Sequence, residues 1–146
     1  MNIMNIEEIV KSWQEDCKID DLNLDRENIR IPSLHSKYVG MMVDENKSLR
    51  TLYRDRAILR RLLRSYYLGE ADEKDLEQLG KEQFLKKILK NELNDYLETD
   101  DLMIRINAKV ATQEEKIEVI KEIVKSINSR GFQLKNAIDW HRLTMG

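Results

Sequence analysis

Seven cations lie between Lys47 and Arg64, and six of them are arginine: Arg50, Arg54, Arg56, Arg60, Arg61 and Arg64. Each helical residue turns the chain by about 100°. With Arg50 as the reference, Arg61 falls at about 20°, Arg54 at about 40°, Lys47 at about 60° and Arg64 at about −40°. Leu52, Leu59, Leu63 and Tyr66 gather near 160–220° by the same reckoning, roughly opposite. Five cations therefore share one face, about one helical turn apart, while packing residues hold the other. Arginine presents a planar fork that grips phosphate bidentately and stacks on flat rings. The chemistry is recognition of a polyanion. A nucleic-acid backbone, an acidic partner surface and the chain's own acidic block all fit this stripe, and within it only Asp55 offers local balance. Tyr66 closes the apolar seam. Tyr67, about 100° further round, is the candidate for stacking on bases.

Residues for other chemistry are scarce. No Gly-rich loop with Lys-Ser/Thr is present, so a phosphate-loop hydrolase is excluded. His35 and His141 are far apart, and Cys17 is the single cysteine, which leaves no metal-ligand spacing and no internal disulfide. Asp20-Asp21 and Asp100-Asp101 read as connector and cap residues. The chain is expected to be no enzyme and to carry no cofactor. A small nuclease is a third reading, which predicts metal-dependent loss of labelled DNA.

Composition agrees with a helical binding protein. The 146 residues suit one domain with a modest core, 36% of them are charged, and five Gly and one Pro leave few turns. The net charge of −2 hides an asymmetry. Leu34 to Gly69 holds eight basic and three acidic residues, a net of +5, whereas Glu70 to Asp101 holds five and eleven, a net of −6. The acids can hold a bound strand on one path or dock partner proteins. The longest apolar runs are too short for a bilayer, and acids stand where a signal peptide has its positive start. The expected location is the cytoplasm, with no membrane contact.

These residues need long helices to position them. The fold class expected is all-α: long amphipathic, coiled-coil-like helices with a short C-terminal helix. A first helix is expected from Ile6 to about Lys18, capped by Asn5 with Glu8, followed by a connector that Pro32 ends, with a short helix or extended piece around Leu24 to Ile31. A second runs over 34–68 with Gly69 beyond its end, and Glu45 and Arg56 interrupt its apolar seam. Lys81 to about Tyr96 patterns as a third helix. A fourth starts after Thr99, Asp100 or Asp101 and keeps a heptad through Met103, Ile106, Val110, Gln113, Ile117, Ile120, Val124 and Ile127. Gly131 is expected to stop it, leaving an amphipathic tail from Phe132 to Met145. The organisation is thus one domain: 1–33 N-terminal helix and connector, 34–69 basic helix, 70–98 acidic connector and helix, 99–146 long helix and tail. Two long seams favour self-association.

Two stretches carry a resemblance. Ser126-Ile127-Asn128-Ser129-Arg130-Gly131-Phe132-Gln133-Leu134-Lys135-Asn136-Ala137-Ile138-Asp139-Trp140 resembles the C-terminal signature of the UvsY family, recombination mediators of T-even-type bacteriophages. Leu34-His35-Ser36-Lys37-Tyr38, leading into a basic helix that ends Tyr66-Tyr67-Leu68-Gly69, is similar to a second part of it. The resemblance is close over Leu34 to Gly69 and about Asp100 to Gly146, and weak elsewhere. It implies a ring-like homo-oligomer, hexamer or heptamer, that binds single-stranded DNA in the cytoplasm of the infected host. Its partners would be a RecA-like recombinase and the single-strand-binding protein that the recombinase must displace. It places the DNA contact in the basic helix. Arg61 matches a basic family position. The next basic position corresponds here to Leu63, a departure that Arg64 or Arg60 can make good. With the helix-face reading above, the candidate DNA-binding set is Lys47, Arg50, Arg54, Arg60, Arg61, Arg64 and Tyr67. The implied oligomerisation set is Phe132, Leu134, Ile138, Trp140 and Leu143. The competing reading is a coiled-coil scaffold or assembly protein whose basic stripe binds an acidic partner.

Overall fold

A computed structural model describes residues 4–145. Five helices follow in order: α1 (Ile6–Asp16), α2 (Leu24–Tyr67), α3 (Glu73–Leu79), α4 (Leu93–Thr99) and α5 (Asp101–Met145). No strand occurs among the described residues, so the fold is all-α as expected. The chain forms two compact units, one from Met1–Lys47 with Glu114–Gly146, the other from Ser48–Gln113. The divisions fall inside α2 and α5.

Local chemistry sets several helix ends as the sequence predicts. Asn5 and Glu8 form a reciprocal capping box on α1. At the end of α2 the Gly69 N–H donates to the Tyr66 carbonyl at 3.1 Å and the Glu70 N–H to the Ser65 carbonyl at 2.9 Å. Gly69 sits at φ +75°, the left-handed geometry that this pair of bonds demands. Asp100 starts α5, its Oδ1 accepting from the Leu102 N–H at 2.8 Å.

In the first unit α1, the first half of α2 and the second half of α5 enclose Ile9, Leu34, Tyr38, Ile120, Ile123 and Ile127. Pro32 does not end a connector. It lies inside α2, which begins eight residues earlier at Leu24. Asp20 organises the entry, with Oδ1 accepting from the Leu22 N–H at 3.0 Å and Oδ2 from the Asn23 side chain at 2.7 Å. An interior proline costs about 3 kcal/mol. Ile31, Leu34 and Tyr38 recur at helical spacing and pack in this core, which offsets that cost. The seam's polar interruption at Glu45 is also resolved here, by the Lys116 ammonium at 3.2 Å with both side chains largely buried.

Gly131 likewise fails to stop α5, and the fourth helix and the tail are one helix. The turn on either side of the glycine is held from outside. Arg130 donates to the Cys17 carbonyl at 2.7 Å and lies 5.2 Å from the Trp13 ring centroid, and Leu134 is buried. Continuing through a helical Gly costs about 1 kcal/mol, less than two such contacts are worth.

In the second unit the rest of α2, α3, α4 and the start of α5 surround Leu63, Leu79, Leu93, Leu97 and Met103. The third helix predicted from Lys81 is absent over 81–89, and helix begins only at Leu93. Lys81 and Phe84 are bound to separate targets, while Leu85 and Leu89 of the same pattern are exposed. Lys81 pairs with Asp100 at 3.1 Å, and Phe84 enters a ring cluster with Tyr66, Tyr67 and Tyr96, centroids 5.0–5.8 Å away.

Candidate nucleic-acid interface

The second unit presents the arginines on the outer face of α2. Leu63 is fully buried, and Leu59 and Tyr66 pack against the core, so the predicted apolar face is the inner one. Arg50, Arg54, Arg60, Arg61 and Arg64 are exposed. Among the described residues the side chains of Arg50, Arg61 and Arg64 make no hydrogen bond or ion pair, and that of Arg54 has only Asp55 at 3.8 Å. Such an exposed pair contributes little and leaves the guanidinium available. Arg60 donates to Asn94 at 3.4 Å. Arg56 is half-buried, donates to Asn107 at 3.3 Å and lies over the Tyr53 ring, which explains its place in the seam. Lys47 is exposed and belongs to the first unit. The row in the second unit can therefore neutralise phosphates at little cost, because its cations have few partners to give up.

Tyr67 is placed differently from the expectation. Its hydroxyl donates to the Asp100 carboxylate at 2.6 Å, and its ring touches Tyr66, Phe84 and Tyr96. Burial, then the bond to Asp100, pushes the phenol pKa up. Its contribution is to anchor the last turn of α2. The Asp100 side chain is wholly buried. Burial raises its carboxyl pKa, but the bonds from Tyr67, Lys81 and the Leu102 N–H outweigh that and hold it below the ordinary 3.8. The helix-cap pattern marked Asp100 as a terminus. Nothing in the local pattern joined it to Tyr67 or Lys81.

The tail set divides into two faces. Phe132, Trp140 and Leu143 are 76%, 67% and 80% exposed, whereas Leu134 is buried and Ile138 half-buried. At about 100° per residue the three exposed side chains share one face of α5, and Leu134 turns the other way into the first unit. Leu134 is thus a core residue and is not free to form a subunit contact.

Among the described residues no group of three or more His, Cys, Asp or Glu side chains is arranged to hold a metal ion. Among the same residues no helix is long and apolar enough to cross a membrane.

The same fold occurs in crystal structures of the bacteriophage T4 recombination mediator protein UvsY. One lattice form superposes with a TM-score of 0.86 at 20% identity, covering 99% of this chain and 100% of that one. A second gives 0.85 at 19% identity over 96% and 99%, and a third 0.81 at 19% over 92% and 96%. No curated protein sequence matches the chain. The family model described as recombination, repair and ssDNA binding protein UvsY matches residues 12–146. With nearly its whole length covered by that model and the arginine row exposed on its second helix, the chain belongs to the UvsY family of phage recombination, repair and single-stranded-DNA-binding proteins.

Proposed function

We propose that this chain is a recombination mediator. It binds single-stranded DNA and promotes loading of a RecA-like phage recombinase onto strands covered by single-strand-binding protein. The process it serves is recombination, repair and recombination-dependent replication in the cytoplasm of the infected host. It is not an enzyme, and the ATP is used by the recombinase. The observation that carries this reading is the row Arg50, Arg54, Arg61 and Arg64, exposed along the face of α2 opposite the core. Membership of the family and the likeness to the T4 mediator support it.

The mechanism is electrostatic. Several copies in a ring, hexamer or heptamer, repeat one modest row, so a strand held by one copy meets the next at high effective concentration. Each phosphate neutralised releases condensed cations, and a strand held along the ring is drawn off the competing binding protein. A fluorescent oligonucleotide should bind tightly in low salt and weaken linearly with log salt. The intact oligomer should also shorten the lag of recombinase filament formation on covered strands. An oligomer that leaves the oligonucleotide free in low salt would remove the reading and favour a scaffold with an acidic partner.

The ring is built, in this proposal, through the outer face of the α5 tail. Replacing Phe132, Trp140 and Leu143 together by Ser should reduce the sedimenting species by several subunits. The first unit should stay folded, since none of the three is buried. A triple variant that sediments like the parent takes the tail out of the interface.

A further inference from the structure

We propose that Tyr53 is the base-stacking residue of the single-strand site, with the groove beside it seating a nucleobase. The proposal rests on strand binding at the arginine row and adds how bases are held there. Tyr53 lies on α2 at about −60° from Arg50, at the edge of the basic face. It is 39% exposed, and the Arg56 guanidinium lies 5.1 Å from its ring centroid. Asn107 holds that guanidinium in turn, at 3.3 Å. A groove of about 380 Å³ opens here between α2, α4 and α5, lined by Tyr53, Arg56, Ala57, Arg60, Met103 and Asn107.

Three features orient a strand. Ala57 falls at about −20°, between the arginine row and the groove, and its single methyl leaves the way open. The groove offers flat surfaces, a phenol ring and a guanidinium, on which any base can stack. Glu98 also lines it, and a carboxylate repels phosphate. Phosphates therefore follow Arg50, Arg54 and Arg61 on the outside while a base turns inward onto Tyr53. Stacking is tolerant of sequence, which suits a protein that must bind strands generally.

The test compares a fluorescent oligothymidylate with an abasic strand of equal phosphate count. The parent should prefer oligothymidylate. Tyr53→Ala should bind it about tenfold more weakly, lose the preference over the abasic strand, and keep the salt slope of the parent. Tyr53→Phe should retain both affinity and preference. Where Tyr53→Ala loosens the helix by circular dichroism, Tyr53→Leu replaces it and should show the same loss. A Tyr53→Ala or Tyr53→Leu chain with parental helix content and parental affinity for oligothymidylate overturns the proposal. Arg61→Ala with Arg64→Ala run alongside separates the two ideas. If that variant weakens and the Tyr53 variants do not, only the stacking site fails. If neither weakens, strand binding by this face fails as well.

Discussion

Replacing Arg61 and Arg64 together by Ala should weaken binding of single-stranded DNA about 25-fold for each copy that holds the strand, at about 0.1 M salt. For single strands log K falls by about 0.7 per neutralised phosphate for each decade of salt. The electrostatic contribution of two contacts at 0.1 M, relative to 1 M, is thus about 1.4 decades. The same variant should show a salt slope shallower by about 1.4 per engaged copy, so titrations at two salt concentrations test one prediction twice. Over several copies the losses compound, because avidity multiplies the site. The fold should be indifferent. Both side chains are exposed and make no ion pair among the described residues, and Ala is the better helix former. Only the favourable place of Arg64 in the last turn of α2 is lost, a few tenths of a kcal/mol. Sedimentation should therefore match the parent. Unchanged affinity with an unchanged slope would show that the strand runs elsewhere.

That prediction was open to the sequence because the row depends on one helix and its period alone. The same holds for the Asn5–Glu8 box and the left-handed Gly69, whose partners lie within five residues. Where the reading departed from the structure, the deciding contact was distant in the chain. Arg130 reaches the carbonyl of Cys17 across 113 positions and carries α5 past Gly131. Phe84 leaves a helical pattern for rings on α2 and α4. Pro32 is tolerated because Ile31, Leu34 and Tyr38 find a core that α5 supplies. The site follows the same division. The angles that set Tyr67 apart from Tyr66 are sound for an isolated helix, but Asp100, 33 positions away, claims its hydroxyl. Tyr53 and Arg56 are neighbours by helix period alone, but the groove beside them gave no signal, since only the fold brings Glu98, Met103 and Asn107 there. Local periodicity reads out a charged face, whereas the groove next to that face is made by elements that meet in three dimensions.

Asp100→Ala should cost the second unit about 3 kcal/mol, the largest stability loss we expect from a single polar substitution in this chain. The carboxylate is wholly buried and accepts from the Tyr67 hydroxyl at 2.6 Å, the Lys81 ammonium at 3.1 Å and the Leu102 N–H at 2.8 Å. Alanine removes the N-cap of α5 and strands a mostly buried ammonium and a phenol, and an unpaired buried donor carries its full desolvation penalty. Asp100→Asn keeps a cap oxygen and loses the charge, so it should fall between parent and alanine. The two also separate by pH. The folded carboxyl lies below its ordinary 3.8, so its contribution is complete above about pH 4 and disappears as pH falls through the lower folded value. The urea midpoint of the parent should drop over that interval. The Asn variant should lose less there, because it has no carboxylate at this position to protonate. Asp16 and Asp20 are also held below their ordinary values, so a residual slope remains, and the difference between the two proteins isolates Asp100. Near-ultraviolet circular dichroism of the Tyr66, Tyr67 and Tyr96 rings reports this unit directly. Because Tyr67 closes the last turn of the arginine helix, Asp100→Ala should also blur the end of the row around Arg64. DNA binding should weaken with no change in surface charge on that face. An alanine variant with parental urea midpoint and parental affinity would reduce the Tyr67–Asp100–Lys81 node to an incidental contact.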